Sequence, residues 1–152
     1  MYMLKKKFII LTIMFIFIIM SSVNSEEKFL SLKKNKVNVR YGPSFDFPIK
    51  YFYKKKNLPI KQIDKKENFR RIIDHKKNSG WIHISQLKRV NSVIALEDKI
   101  VFNKATIFSR PVAKISKGRL LVIQKCESEW CEVETGNFKG WVDKSNLWGT
   151  VN

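Results

Sequence analysis

Two stretches of eight residues, sixty positions apart, share one pattern without a gap. Gly80-Trp81-Ile82-His83-Ile84-Ser85-Gln86-Leu87 and Gly140-Trp141-Val142-Asp143-Lys144-Ser145-Asn146-Leu147 both read Gly-Trp-aliphatic-x-x-Ser-x-Leu. A self-match at a fixed period marks a duplicated structural unit. A chain of 152 residues then holds two small modules, and each must close its own core. With 44% apolar residues, eleven of them Phe, the chain has the material to do so. Disorder throughout is excluded on that ground.

The first 25 residues read as an address. Met1-Tyr2-Met3-Leu4-Lys5-Lys6-Lys7 is followed by an apolar run from Phe8 to Met20, and then by Ser21-Ser22-Val23-Asn24-Ser25. A basic start, a short apolar helix and a small-residue end are the marks of a secretory signal peptide. Val23 and Ser25 suit the positions before a cut after Ser25. An uncleaved anchor is the other reading, but the apolar run is shorter than the roughly 18–20 residues a spanning helix needs. No lipoprotein cysteine follows the run. Removing Lys5, Lys6 and Lys7 and no acid takes the net charge from +17 to +14. Such a charge favours anionic partners: cell-wall polymer, anionic lipid or nucleic acid. Export removes nucleic acid from consideration. The lysines travel with abundant Ile and Asn, so coding bias accounts for the charge as well as a binding patch does.

Export also bears on Cys126 and Cys131. They are the only cysteines, and four residues separate them. In an oxidising compartment a lone pair spaced to face each other across a tight hairpin points to a disulfide. A zinc site would need further ligands, and His75 and His83 lie far upstream. No metal or cofactor is therefore expected.

Between these landmarks the pattern is of short strands. Val37 to Arg40 alternates, Tyr41-Gly42-Pro43-Ser44 breaks it, and strand-like runs follow at Ile49–Tyr53, Leu58–Ile63, Phe69–Ile73 and Gly80–Ile82. A helical turn is expected near Ser85-Gln86-Leu87. In the second copy Thr106-Ile107-Phe108-Ser109-Arg110-Pro111 is set against Asn38 to Pro43, and Trp130 against Phe69. Lys88 to Asp98 is read as a link contributing a strand to one copy. The expectation is an all-β chain: a signal peptide helix (1–25), then two small five-stranded β-barrels in tandem, 26–92 and 93–152. Gly80, Trp81, Leu87, Gly140, Trp141 and Leu147 form the structural repeat, with Trp81 and Trp141 closing each core.

Val37-Asn38-Val39-Arg40-Tyr41-Gly42-Pro43-Ser44, followed at a suitable distance by Gly80-Trp81-Ile82, resembles the bacterial SH3-like (SH3b) domain. The second copy keeps the Gly-Trp-Val end and a Trp-Cys strand. The resemblance covers nearly all of the chain after the leader. It looks like exported tandem proteins of bacteria with two membranes, which implies the periplasm. It implies a binding module for peptidoglycan or a peptide, or an adaptor for an envelope protein, and not an enzyme. No nucleophile elbow or phosphate loop is present, and no His stands in the module of the cysteines. Candidate ligand contacts are Arg40, Tyr41, Phe45, Phe47, Tyr51 and Tyr53, around the loop after the first strand. The aromatics among them serve contact and packing equally well.

Overall fold

A computed structural model describes residues 28–149. The expected leader helix and its cleavage site lie outside the described residues. The first seven strands are β1 (Phe29–Leu32), β2 (Val37–Arg40), β3 (Ile49–Tyr53), β4 (Pro59–Lys66), β5 (Phe69–Ile73), β6 (Ser79–His83) and β7 (Leu87–Arg89). The next seven are β8 (Ser92–Ala95), β9 (Lys99–Phe102), β10 (Pro111–Ile115), β11 (Leu120–Glu127), β12 (Trp130–Thr135), β13 (Phe138–Asp143) and β14 (Leu147–Trp148). The one helical segment among the described residues is a 3-10 turn at Ile84–Gln86, where a helical turn was expected. None is long and apolar enough to cross a membrane.

The two copies form two antiparallel sheets with the same strand permutation, β3-β2-β6-β5-β4-β1-β7 and β10-β9-β13-β12-β11-β8-β14. Seven strands, not five, make each unit, and neither sheet closes into a barrel: β3 and β7 end the first, β10 and β14 the second. The expected link is not a link with one strand. Its first residues are β7 of the first sheet, and β8 belongs to the second.

Register shifts fall at matching places, between Gln62 and Asp64 in β4 and between Ile123 and Lys125 in β11. An extra residue there sharpens the local twist. The shift helps one face of each open sheet gather a core. In the first unit that core is Leu32, Val37, Val39, Leu58, Ile60, Ile72, Ile82 and Leu87; in the second, Val93, Ala95, Val101, Ile115, Leu121, Cys131, Val133 and Val142.

The Gly-Trp repeat acts at the crossing of two strands. β6 meets β2 through the single register pair Arg40–Trp81, and β13 meets β9 through Phe102–Trp141. A Cβ on Gly80 would lie 2.4 Å from Val39 Cγ1, and one on Gly140 2.5 Å from the Phe102 carbonyl oxygen. Only a residue without a side chain lets these strands cross so closely. Alternation then turns Ile82 and Val142 into the cores and leaves Trp81 and Trp141 half-buried on the opposite face. The expectation that the two indoles close the cores is corrected: the aliphatic residue after each Trp does so.

The crossing also corrects the alignment of the copies. Lys99-Ile100-Val101-Phe102 occupies the place of Val37-Asn38-Val39-Arg40, and Thr106 to Arg110 lies in the loop beyond it.

The units are packed together rather than strung apart. All four residues of β8 are buried. Val93 and Ala95 face the second core, while Ile94 turns the other way and joins the first, with Leu120 and Trp148 packed beside it. Trp148 meets Phe29 edge-on at 5.3 Å. The Ser92 hydroxyl bonds the hydroxyl of Ser31 and the carbonyl of Asn57.

The Cys126–Cys131 disulfide forms as expected, at the tip of the β11–β12 hairpin where the two residues pair directly.

Gly80→Ala is expected to cost about 1–3 kcal/mol, the usual penalty of overpacking, with Gly140→Ala costing a similar amount. Ser79→Ala, on the open face one residue away, is expected to be near neutral. Urea denaturation of the three variants checks this.

Candidate functional site

The loop joining β2 to β3, residues 41–48, carries three of the expected contacts and is held by the fourth. Arg40, the last residue of β2, turns its guanidinium onto the loop. Its Nη1 donates to the carbonyls of Phe45 (3.1 Å) and Phe47 (2.7 Å). The Tyr41 amide closes the base by donating to the Pro48 carbonyl at 3.2 Å. Ser44 and Asp46 bond each other inside the loop. The Phe47 ring lies against Gly42 so tightly that a Cβ there would fall 2.5 Å from it. A loop pinned in this way presents its rings at little entropic cost.

The result is an aromatic surface. Tyr41 is 61% exposed and Phe45 60%. Phe45 stacks on His83 (5.0 Å between centroids) and edge-on against Phe69 (5.2 Å), with the Arg40 guanidinium 5.3 Å from its ring. Phe69 and His83 pair across β5 and β6, which places them side by side. The His83 ring is fixed in turn, because its Nδ1 accepts from the Ser85 amide at the 3-10 turn and lies 2.7 Å from the Ser85 hydroxyl. Neither Phe69 nor His83 stood among the expected contacts. His83 reads from sequence as a solvated polar position. The available signal was the His-x-Ser spacing after a strand, which suits a turn cap.

Tyr51 and Tyr53 belong to a different group. They share one face of β3, are half-buried against the first core, and meet edge-on at 5.3 Å with hydroxyls 3.3 Å apart. The Tyr53 hydroxyl donates to Asp74 Oδ2, and the buried Asp74 carboxylate also accepts from the Lys76 amide and from both nitrogens of Asn78. Burial, the Tyr51 hydroxyl and the Asp74 charge push the Tyr53 phenol far above its ordinary value. Tyr51 is raised mainly by burial. Lys50 bridges the two groups, with Nζ 5.7 Å from the Tyr41 ring and 6.0 Å from that of Tyr51. The structure thus brings Arg40, Tyr41, Phe45 and Phe47 together and sets Tyr51 and Tyr53 into the wall behind them.

The second unit keeps the frame and changes the chemistry. Phe102 stands where Arg40 stands and meets Trp130 edge-on at 5.8 Å. Without the guanidinium, the loop from Asn103 to Arg110 is held by the Ser109 hydroxyl, which accepts from the Lys104 amide at 3.1 Å. Asp143 replaces His83 as the cap for Ser145. Lys99 replaces Val37, its side chain only 2% exposed, with Nζ donating to Asp143 Oδ1 (2.9 Å) and Glu97 (3.2 Å). Burial works to raise the Asp143 carboxyl, but the Ser145 hydroxyl and the Lys99 ammonium outweigh it and hold it below the usual value.

The profile of the bacterial SH3 domain matches residues 33–88 and again residues 101–149, together more than half of the chain. The chain belongs to the bacterial SH3 domain family, in two tandem copies. No curated protein sequence matches it. Among solved structures it is similar to NlpC2 and NlpC1 of Trichomonas vaginalis, at 9% and 11% identity and a TM-score of 0.38 each. The matches cover 82% and 84% of this chain but only 48% and 47% of those proteins, so the chain spans about half their length.

A depressed carboxyl stabilises the fold above its unfolded value and loses that contribution as pH falls through the folded one. Asp143→Asn is therefore expected to cost about 1–3 kcal/mol at pH 7, where it leaves a buried ammonium short of an acceptor. The gap between variant and parent should begin to narrow as pH falls to the ordinary carboxyl value of about 4, and close only once it has fallen through the depressed folded one. Urea denaturation at pH 7 and at successively lower pH checks both statements.

Proposed function

We propose that this chain is an exported, non-catalytic binding protein of the bacterial envelope, whose first SH3 copy takes peptidoglycan or a peptide on the surface of loop 41–48. The observation that carries the reading is the Arg40 clamp. It holds a loop of exposed rings (Tyr41, Phe45 and Phe47), of which Phe45 lies against Phe69 and His83. Rings held in place suit the flat apolar faces of sugars and peptide side chains. The surrounding lysines favour ligands that carry carboxylates. Membership of the bacterial SH3 family supports a cell-wall or protein ligand. The disulfide supports an oxidising compartment such as the periplasm, and it leaves neither sulfur as a thiolate nucleophile.

Co-sedimentation with purified sacculi tests the reading. The protein is expected to pellet at low salt, to be released as salt rises, and to lose most of its retention in the double variant Tyr41→Ala/Phe45→Ala. Both residues are exposed, so the variant should keep its fold. No pelleting at low salt removes the peptidoglycan reading. Retention of an envelope protein in crosslinking, lost in the same variant, would assign the surface to an adaptor instead.

A further inference from the structure

A second candidate site lies where the two units meet, away from loop 41–48. A cavity of about 530 Å³ opens there, a size ordinary for small-ligand sites. The turn after β5 supplies His75 and Lys76, the end of β8 supplies Ala95 and Leu96, and the turn before β11 supplies Lys117 and Gly118. Two separate copies therefore build it, and neither has it alone.

Its charge is one-sided. Lys55 is close enough to Arg119 and Lys76 that both cations, after burial, depress its ammonium. His75 is lowered first by burial and further by Lys76 and Lys55, against the opposing pull of Asp74. Three basic side chains, His75 and Lys76 from the first unit and Lys117 from the second, thus line one opening, with the Lys55 ammonium within electrostatic reach of His75 and Lys76. The acids nearby are committed elsewhere. Asp74 accepts from Tyr53, Asn78 and the Lys76 amide, and Asp98 holds the Lys117 amide at 2.9 Å and pairs with Lys114. Among the described residues no carboxylate pairs with Lys55, Lys76, Lys117 or Arg119. The Nδ1 atom of His75 is buried and has no hydrogen-bond partner.

An excess of like charge at one opening disfavours the fold, and a bound anion relieves the repulsion. We propose that this junction cleft binds a small multivalent anion, one carrying two or more carboxylate or phosphoryl groups. The lysines at the rim would meet the charged oxygens, and Ala95 and Leu96 would floor the site. Because both units contribute, the ligand would also tie them together.

The test uses citrate and inorganic pyrophosphate as probes, titrated at fixed ionic strength into the isotope-labelled chain and followed by amide NMR. Saturable shifts centred on His75, Lys76, Leu96, Lys117 and Gly118 are expected with at least one probe. Citrate alone would assign carboxylate ligands, pyrophosphate alone phosphoryl ligands, and both the shared chemistry. Lys76→Ala/Lys117→Ala should weaken binding by about tenfold or more, as the loss of two charge-assisted contacts implies. Lys65→Ala/Lys66→Ala, which removes the same charge from the end of β4, should leave it unchanged. All four lysines are exposed, so both variants should fold. Shifts that do not saturate, or an equal loss in the two double variants, would overturn the proposal. Loop 41–48 takes no part in the experiment, so failure of the sacculus assay leaves this result standing.

Discussion

The close crossing of two strands over a glycine is the constraint on which each unit depends. β2 and β6 touch at one register pair, as do β9 and β13, and in both places a Cβ would collide with the facing strand. With the strands so near, the two residues that follow the glycine serve opposite faces by alternation. Ile82 and Val142 complete the cores, while Trp81 and Trp141 remain on the outside beside Arg40 and Phe102. The repeat is therefore a backbone requirement first and an aromatic one second. Whatever residue ends β2 or β9 is carried to the same spot on the surface.

The second dependence is on β8. A strand with four consecutive buried residues serves two cores at once, since Ile94 leaves its own unit to pack with the first. Burial on both faces makes the pair of SH3 copies one packed body. It also brings the turns at His75 and Lys117 to a common opening, which neither copy could form alone.

Much of this was legible in the residues. The Gly-Trp period gave the duplication, Val37–Arg40 gave the first strand and its loop, and the spacing of Cys126 and Cys131 gave the hairpin disulfide. The outer tryptophans were misread because bulk suggests burial, whereas the position of a side chain in a strand is set by alternation from its neighbours. The second copy was aligned out of register for a related reason. Its Ser-Arg-Pro looks like the familiar turn, but the crossing partner of Gly140 is Val101-Phe102. Tyr51 and Tyr53 are near Phe45 in sequence and face the wall of the core in space. The roles of Phe69 and His83 come from cross-strand pairing, which no local pattern announces. The barrels are expected to close because many short strands in a copy of this size suit a small barrel; the open edges depend on long-range hydrogen bonding.

What separates the copies is the residue placed at the crossing. Arg40 reaches two carbonyls and fixes a loop of exposed rings, while Phe102 reaches none and packs on Trp130. The same scaffold thus carries a clamped aromatic loop in one copy and a plain one in the other. Amide hydrogen exchange on Arg40→Phe tests this division most directly. The account predicts faster exchange at the Tyr41 amide and the rest of loop 41–48, with the amides of β4, β5 and β6 keeping their protection. Unchanged protection across the loop would contradict the clamp, and loss of protection throughout the sheet would contradict the separation of scaffold from loop.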